Sequence, residues 1–438
     1  MPATTATAER EHLARILAAP ADDGPRLAYA AWLHARGDPR GEFIAVQCAM
    51  ASGSAGGDND EQRRLYERHT ALLSAHERTW TAELRALLGA GDQPNYHPVS
   101  FHRGLVEAAY VPADVLAGAA DRLFALAPLL RSVFVGRPLH GTLDANLGRA
   151  IAGRPELAAV TAMRLFCLDL DDATFIAFAR SPHLGRLREL DLGANALGPD
   201  AVAALLAAPF AADLTALELW RNRIGDDGAA HIAAAAGHRV QRIRLGQNGV
   251  GRRGGLALAG AAGLGALESL DLAHNPLGDD AVCALIASPT LTALADIDLY
   301  GVGLSVDGVA RLVGSPGFKK IARINLGGND MGDRGLQALA ASPNTDALVY
   351  LDLEGSAIGD AGMQALADAR ALARLVELGL RYNRITDVGA RALAGSTRLP
   401  ALIELDLAYN DIESYHPALD EKFGGANLIG QGRRSELR

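Results

Sequence analysis

Six acids recur at one position of a phrase that returns along the second half of this sequence: Asp191, Glu218, Asp271, Asp298, Asp352 and Asp406. Arg244, Asn325 and Gly379 fill that position in the other three copies. Two residues earlier the copies carry Glu189, Ala216, Arg242, Ser269, Asp296, Arg323, Tyr350, Glu377 and Glu404. Two and three residues later stand Trp220, Arg221, His274, Tyr300, Glu354, Arg381, Tyr382 and Tyr409. Columns of carboxylates, guanidiniums and aromatic rings do the chemistry of recognition: acids attract a basic segment, and Trp, Tyr and Arg supply anchors. Two accounts of the acid column stand side by side. Either the acids line a groove for a basic protein segment, or Asp after Leu is the phrase's own consensus, copied by duplication.

Bond-making chemistry has few candidates. His97 and His102, each after an aromatic residue (Tyr96, Phe101), could be imagined as a metal pair. No Cys or carboxylate stands at ligand spacing beside them, which points to a surface or adapter role. There is no HExxH and no nucleophile elbow of the GxSxG kind. The Gly-rich run GVGRRGG (249–255) follows an ordinary strand of the repeat and is read as a turn rather than a phosphate cradle. Cys48, Cys167 and Cys283 are too few and too scattered for a disulfide framework or a multi-cysteine zinc site. Each is expected as a small buried thiol, and their usage suits a reducing cytoplasm. Neither a catalytic residue, a cofactor site nor a metal site is assigned.

The elements that position the columns follow from the phrase itself. Its copies are LRELDLGANALG, LTALELWRNRIG, VQRIRLGQNGVG, LESLDLAHNPLG, LADIDLYGVGLS, IARINLGGNDMG, LVYLDLEGSAIG, LVELGLRYNRIT and LIELDLAYNDI. Position 9 is Asn195, Asn222, Asn248, Asn275, Asn329, Asn383 and Asn410, with Val302 and Ser356 in the other two copies. These positions are spaced by 27, 26 and then always 27 residues. VTAMRLFCLDL (160–170) fits the frame one period earlier, and LLRSVFVG (129–136) is a degenerate copy.

Positions 1, 4, 6 and 11 are aliphatic, and in the LxL portion alternate side chains face opposite ways, as a short strand requires. The Asn marks the turn out of it, where an amide can pair with backbone groups left over by the bend. Second halves such as GDRGLQALAASP have Asp near the start, apolar residues at helical spacing and Gly or Ser-Pro at the end, which predicts a helix. One such unit buries too little to stand alone, so the units must stack, with a parallel sheet on the concave side and helices on the convex side.

These phrases resemble leucine-rich repeats, specifically the ribonuclease-inhibitor-like type with a helix in every unit, over residues 160–412. The resemblance implies an α/β solenoid, a horseshoe whose concave strand face binds. Val302 and Ser356 break the Asn ladder, and Ser305 and Thr386 replace the Gly after the turn; these are expected to weaken the turn locally.

Residues 1–50 are expected as a separate helical head. Leu13, Ile16 and Leu17 form one helical pattern, which stops at Pro20. A second begins near Asp23, a break falls at Gly37-Asp38-Pro39, and a third runs from Glu42 to Met50. The phrase WLHARGDPRGEFI resembles the repeat-companion domain, a short bacterial module found beside leucine-rich repeats, which implies context and no activity. A flexible Gly/Ser-rich loop is expected at 51–60, then an adapter and cap of the array at 61–159. Within the adapter, 61–88 is helical and 101–116 is a strand leading into a helix that ends near Ala127-Pro128. Residues 413–438, with Phe423 as apolar anchor, are expected to cap the far end.

Composition agrees with a repeated aliphatic core: 49 % hydrophobic but only 5 % aromatic. The net charge of -9, from 42 basic and 51 acidic residues, argues against a nucleic-acid binder that relies on an overall positive field. No uninterrupted apolar run approaches membrane-spanning length, and the first residues lack the pattern of a secretory leader. The sequence therefore points to a cytoplasmic, non-catalytic scaffold that binds another protein, with no nucleic acid and no membrane as partner. The alternative is a docking regulator that inhibits or activates an enzyme such as a GTPase or nuclease.

Overall fold

The computed structural model describes residues 3–52, 59–91, 97–235, 239–413 and 419. The centre of the expected Gly/Ser loop (53–58) and nearly all of the expected C-terminal cap, Phe423 included, lie outside the described residues. The fold has two compact units, residues 1–168 with 180–188, and 169–179 with 189–438.

The first unit opens with helices α1 (Ala3–Ala18), α2 (Asp23–His34), α3 (Arg40–Ser52), α4 (Asn59–Trp80) and α5 (Ala82–Leu87). Strands β1 (Val99–His102) and β2 (Leu105–Pro112), helix α6 (Ala113–Leu126), β3 (Ser132–Gly136), α7 (Ala145–Ala152) and β4 (Ala162–Arg164) follow. Asp22 caps α2 by accepting the Gly24 N–H at 2.9 Å, as short polar side chains do at helix starts. Ile16, Tyr29, Leu33, Ile44 and Cys48 bury themselves in one apolar cluster.

Where one strand was expected over 101–116, the chain first makes an antiparallel hairpin, β1 with β2. Arg103 and Gly104 turn it with left-handed backbone, φ 45° and 85°. A side chain at Gly104 would run into Ile44 of α3, so the hairpin tip sits directly on the helices. Arg103 donates to the carbonyls of Ala21 (2.8 Å) and Pro20 (3.0 Å) and to Asp23 (2.9 Å). The fully buried Arg26 reaches Glu107 of β2 at 2.5 Å. Beyond the hairpin β2, β3 and β4 run parallel, with Ala109, Val133 and Met163 in register.

The second unit alternates helix and strand. Its first half holds α8 (Asp172–Ala179), β5 (Glu189–Asp191), α9 (Pro199–Leu206), β6 (Ala216–Glu218), α10 (Gly225–Ala234), β7 (Arg242–Arg244), α11 (Arg252–Ala259) and β8 (Ser269–Asp271). Then come α12 (Gly278–Ala287), β9 (Asp296–Asp298), α13 (Val306–Gly314), β10 (Arg323–Asn325), α14 (Gly332–Ala341), β11 (Tyr350–Asp352), α15 (Asp360–Ala367), β12 (Glu377–Gly379), α16 (Asp387–Gly395) and β13 (Glu404–Asp406). From β5 to β13 neighbouring strands pair in parallel without slippage, Leu190 beside Leu217, Ile243, Leu270, Ile297, Ile324, Leu351, Leu378 and Leu405. Strands pack about 4.8 Å apart and helices about 10 Å apart, so such a stack bends with the sheet on its inner side.

Each Asn of the ladder couples two repeats. Asn275 donates to Leu272 O (3.0 Å) in its own repeat and Leu245 O (2.9 Å) in the one before. Its oxygen accepts the N–H groups of Asn248 (3.0 Å) and Val250 (2.9 Å). Asn222, Asn248, Asn329, Asn383 and Asn410 make the same two-repeat bridge. Asn195 likewise donates to Leu192 O of its own repeat and accepts the Leu170 N–H.

Where Val302 and Ser356 interrupt the ladder, the stranded N–H of the preceding repeat turns back on itself. Leu277 N donates to Asn275 O, and Met331 N to Asn329 O, each at 2.8 Å.

A second ladder runs along the helix starts. The Asp at position 13 does not serve its own helix; its carboxylate accepts N–H groups at the start of the next one. Asp226 takes Gly251 (2.7 Å) and Gly254 (2.8 Å), Asp333 takes Gly359 (2.7 Å) and Gly362 (3.0 Å), and Asp360 takes Thr386 and Gly389 (both 2.9 Å). A Cβ on Gly254 or Gly362 would meet those carboxylates at 2.7 and 2.8 Å, which explains the second glycine of the motif.

Ser305 and Thr386, expected to weaken the turn, strengthen it. Their hydroxyls donate to Asp279 (2.6 Å) and Asp360 (2.7 Å) and accept the N–H of Gly308 and Val388. Pro199, Arg252 and Val306 replace the position-13 Asp in other repeats. There Gly225, Gly278 and Gly332 adopt left-handed backbone and donate instead to Asn248 O, Val302 O and Ser356 O of the following repeat.

Both ladders can be tested by mutation, and the second also by acid. Asn275→Ala leaves buried groups unpaired in two repeats and should cost about 3 kcal/mol, read from urea unfolding. Burial disfavours the charged forms of Asp226 and Asp360. The Gly254 and Gly251 N–H groups at Asp226, and the Thr386 hydroxyl and N–H with the Gly389 N–H at Asp360, outweigh that and hold both carboxyls below the usual range. Such a lowered value contributes stability that is complete above about pH 4 and lost as pH falls through it. The urea midpoint should therefore drop on acidification below about pH 4. Asp360→Ala should cost about 1–2 kcal/mol at neutral pH and make that drop shallower.

Candidate strand-face binding site

The strands present positions 3, 5 and 7 on one face while positions 4 and 6 are buried against the helices. At position 5 the acid column has a structural duty. One oxygen of Asp191, Asp271, Asp298, Asp352 and Asp406 accepts the N–H two residues on, at 2.9–3.0 Å, and Asn325 does the same for Gly327. This bond turns the chain off the strand. The column is thus part of the repeat's framework, one oxygen of each of these carboxylates being engaged in the turn.

Arg244 takes the place of an acid and bridges Glu218 (3.2 Å) and Asp271 (3.1 Å) on the flanking strands. Arg242 approaches Glu189 at 3.7 Å across Ala216. Further on, Asn325 donates to Asp298 at 3.3 Å. Burial raises the pKa of Asp298, and the charges of Asp271 and Asp352 raise it further, against the bonds from Tyr300 N–H and Asn325; the net shift is upward.

Position 8 is left-handed in every copy that carries a side chain there: Ala194, Arg221, Gln247, His274, Tyr382 and Tyr409 have φ between 52° and 60°. Gly301, Gly328 and Gly355 fill it in the other three. Tyr382 and Tyr409, consecutive in this column, stack with ring centroids 4.4 Å apart and 3° between planes. They remain 52 % and 48 % exposed. Arg381 lies beside both rings, 5.2 Å from the Tyr409 centroid, and reaches Asp406 at 3.5 Å. Arg221 is exposed in the same column.

Trp220 and Tyr300 lie on glycine. A side chain at Gly193 would collide with the Trp220 indole one strand on. Tyr300 lies across Gly327 and Gly328, where added Cβ atoms would come 2.9 and 2.7 Å from its ring. Tyr350 carries the Arg323 guanidinium 4.2 Å from its centroid, and Arg323 also meets Glu377 at 3.8 Å. Burial, then the charge of Asp352 and a bond to it, push the Tyr350 hydroxyl up to about 12.

The structure thus gathers the expected residues into three groups on one face. Trp220, Arg221, Arg242, Arg244 and Asp271 form the first. Asp298, Tyr300, Tyr350, Asp352, Glu354 and Glu377 form the second, and Arg381, Tyr382, Asp406 and Tyr409 the third.

Elsewhere the chemistry is sparse. Cys48 is buried, and burial pushes its thiol up to about 11. Cys167, expected to be buried, is exposed, because it occupies the left-handed turn position of its repeat (φ 58°). Cys283 is half-buried, with its thiol 3.7 Å from Gly308 O. His97 meets the Glu77 carboxylate at 2.8 Å through Nδ1, and His102 Nε2 accepts from Arg103 Nε at 3.2 Å; Tyr96 lies outside the described residues.

Among the described residues no group of three or more His, Cys, Asp and Glu is arranged to hold a metal, and no helix is long and apolar enough to cross a membrane. One feature escaped the sequence: an open cleft of about 660 Å³ between α4 and β1, lined by Tyr66, His69, Ser74, Glu77, His97 and Phe101. Its signal was the spacing of Tyr66, His69, Leu73 and Glu77 along one face of α4.

A family model described as Leucine Rich repeat matches residues 212–233, 267–285, 320–340, 348–367 and 375–394. The chain carries leucine-rich repeats, and its fold is a leucine-rich-repeat solenoid preceded by a helical region. No curated protein matches it. Among solved structures it is similar to an internalin (inlF) from Listeria monocytogenes str. 4b F2365, at 19 % identity over 64 % of this chain and 80 % of that one, with a TM-score of 0.37. It is also similar to a chain of the yeast Rad7 and Elc1 complex (16 % identity, 67 % and 77 % covered, TM-score 0.41). A third is a chain of the TLR13–ssRNA13 complex (19 % identity, 69 % and 39 % covered, TM-score 0.40).

The packing of Trp220 on Gly193 is directly testable. Gly193→Ala should lift the indole into water, cost about 1–2 kcal/mol and shift tryptophan emission to the red; an unchanged spectrum would contradict this packing.

Proposed function

We propose that this chain is a non-catalytic scaffold that binds a partner protein through the strand face of its repeats. The observation that carries it is the pair Tyr382 and Tyr409. Both stand in left-handed backbone at a position that three other repeats fill with glycine, and a side chain there costs roughly 1–2 kcal/mol each. No bond of the framework requires a ring at that position, and the rings stay half exposed. Large, rigid aromatic side chains beside an arginine are the residues that dominate protein interfaces.

The finer parts of the proposal rest on the sequence. WLHARGDPRGEFI motivates a bacterial companion module as the head, the helix in each unit motivates the ribonuclease-inhibitor-like type, and the few scattered cysteines motivate a cytoplasmic site. The excess of acids on the strand face favours a basic protein segment over nucleic acid as partner.

The test is affinity capture from the native organism's lysate with the full chain and with Trp220→Ala/Arg381→Ala as baits. The expected result is that proteins held by the full chain are reduced at least about tenfold (about 1.4 kcal/mol) on the variant, whose unfolding midpoint should stay close to that of the parent. Equal capture by both baits would overturn the assignment to this face.

A further inference from the structure

The surroundings of Tyr300 repeat, with one component missing, an arrangement that the chain builds twice on the same face. Arg323 lies between the Tyr350 ring and the Glu377 carboxylate, and Arg381 between the Tyr409 ring and Asp406. In both, a guanidinium meets a ring of the next repeat and a carboxylate one or two repeats on, the pairing expected of a flat, weakly hydrated cation.

Tyr300 offers the ring and the carboxylates. It spans from its own repeat over the glycine floor of Gly327 and Gly328, where a Cβ would also meet Glu354 O at 2.9 Å, and so leans toward the repeat that carries Asp352 and Glu354. Burial raises the pKa of its hydroxyl, and the charges of Glu354 and Asp352 raise it further. His274 borders the ring, with centroids 4.9 Å apart and planes tilted by 55°. Among the described residues no arginine or lysine forms an ion pair with Asp298, Asp352 or Glu354, in contrast to Glu218 and Asp271, which Arg244 bridges. Both arginines of this half of the face, Arg323 and Arg381, are already held, and Arg381 feels the charge of Glu354 only at a distance beyond ion pairing. The like charge gathered at Asp298 is the electrostatic complement of a cation from outside.

We propose that the Tyr300 ring, with Asp298, Asp352 and Glu354, seats an arginine side chain of a basic, extended segment of the partner. This deepens the strand-face assignment and rests on it. Arginine fits better than lysine because its planar group can stack on the ring while donating to two carboxylates at once, and the two occupied seats both hold arginine.

The experiment measures binding of a fluorescent peptide alternating arginine with serine to the full chain by anisotropy, beside lysine–serine and glutamine–serine counterparts. The arginine peptide should bind at least about fivefold tighter than the lysine peptide, and the glutamine peptide should not bind. Tyr300→Ala should weaken the arginine peptide about tenfold and remove its advantage over lysine, whereas Tyr300→Phe, which keeps the ring, should stay within about twofold. Asp352→Asn should weaken it several-fold; Glu189→Gln, at the other end of the face, should not.

Unchanged binding in Tyr300→Ala with the fold intact, or equal losses for Asp352→Asn and Glu189→Gln, would overturn the seat in favour of diffuse attraction. If the wild-type chain ignores the arginine peptide while lysate capture still depends on Trp220 and Arg381, the seat alone falls. If neither binding is seen, the strand-face assignment falls with it.

Discussion

Backbone N–H and C=O groups that leave a strand inside a stack of repeats have no water to turn to, and must be paired within the protein. Nearly every regularity of this chain answers that constraint. The Asn amide closes one repeat and reaches into the previous one. The position-13 Asp caps the helix of the next, and the position-5 Asp turns the chain off the strand. Ser288, Ser342 and Ser396 extend the same scheme behind the helices, each donating to a carbonyl of the preceding repeat at 2.5–2.6 Å. The bonds from the Asn to the previous repeat, from the position-13 Asp to the next helix and from these Ser residues each span about one period, so a repeat is satisfied only when both neighbours are in place. This cooperativity is what the nearest-neighbour description of repeat proteins expresses.

The same constraint separates what the framework requires from what it leaves free. Positions 4, 6 and 11 are settled by burial, positions 9 and 13 by the two ladders, and position 5 is half settled by its turn bond. Positions 3, 7 and 8 carry no such duty, and there the sequence varies widely, from Ala216 and Gly246 to Tyr350, Trp220 and Tyr409. The non-uniform residues sit on one face and lean on glycine or on one another. A surface assembled from positions the fold does not need is the physical ground for placing binding there.

Much of this is legible in the sequence. The 27-residue period, a short strand at the LxL portion, found one residue earlier at positions 3 to 5, the helix after Asp and the three helices of the head, broken at Pro20 and Gly37-Asp38-Pro39, all follow from local patterns of burial and capping. The direction of the bonds is not. An Asp at a helix start reads as a cap for its own helix, and only the stacked geometry shows Asp226 and Asp360 serving the next one. Ser305 and Thr386 likewise looked like lost glycines, yet their hydroxyls join the same ladder. The hairpin at Arg103-Gly104 was hidden because Arg takes left-handed backbone there, held by distant carbonyls of Pro20 and Ala21. At the candidate site, the residue types and their common face were visible, whereas the duty of the Asp column was not. The sequence does carry one further signal of the site: Trp220 with Gly193 and Tyr300 with Gly327 pair at one-period spacing, a large ring beside a residue with no side chain.

The central claim is that the strand face, and not the helix layer, meets the partner. Carboxyl footprinting with carbodiimide and glycine amide, on the chain alone and bound to its captured partner, tests it most directly. The account predicts that Asp352, Glu354, Glu377 and Glu404 on the strand face lose labelling on binding, while Asp227 and Asp280 on the helix layer keep theirs. Protection of Asp227 and Asp280 with the strand-face acids still labelled would contradict it.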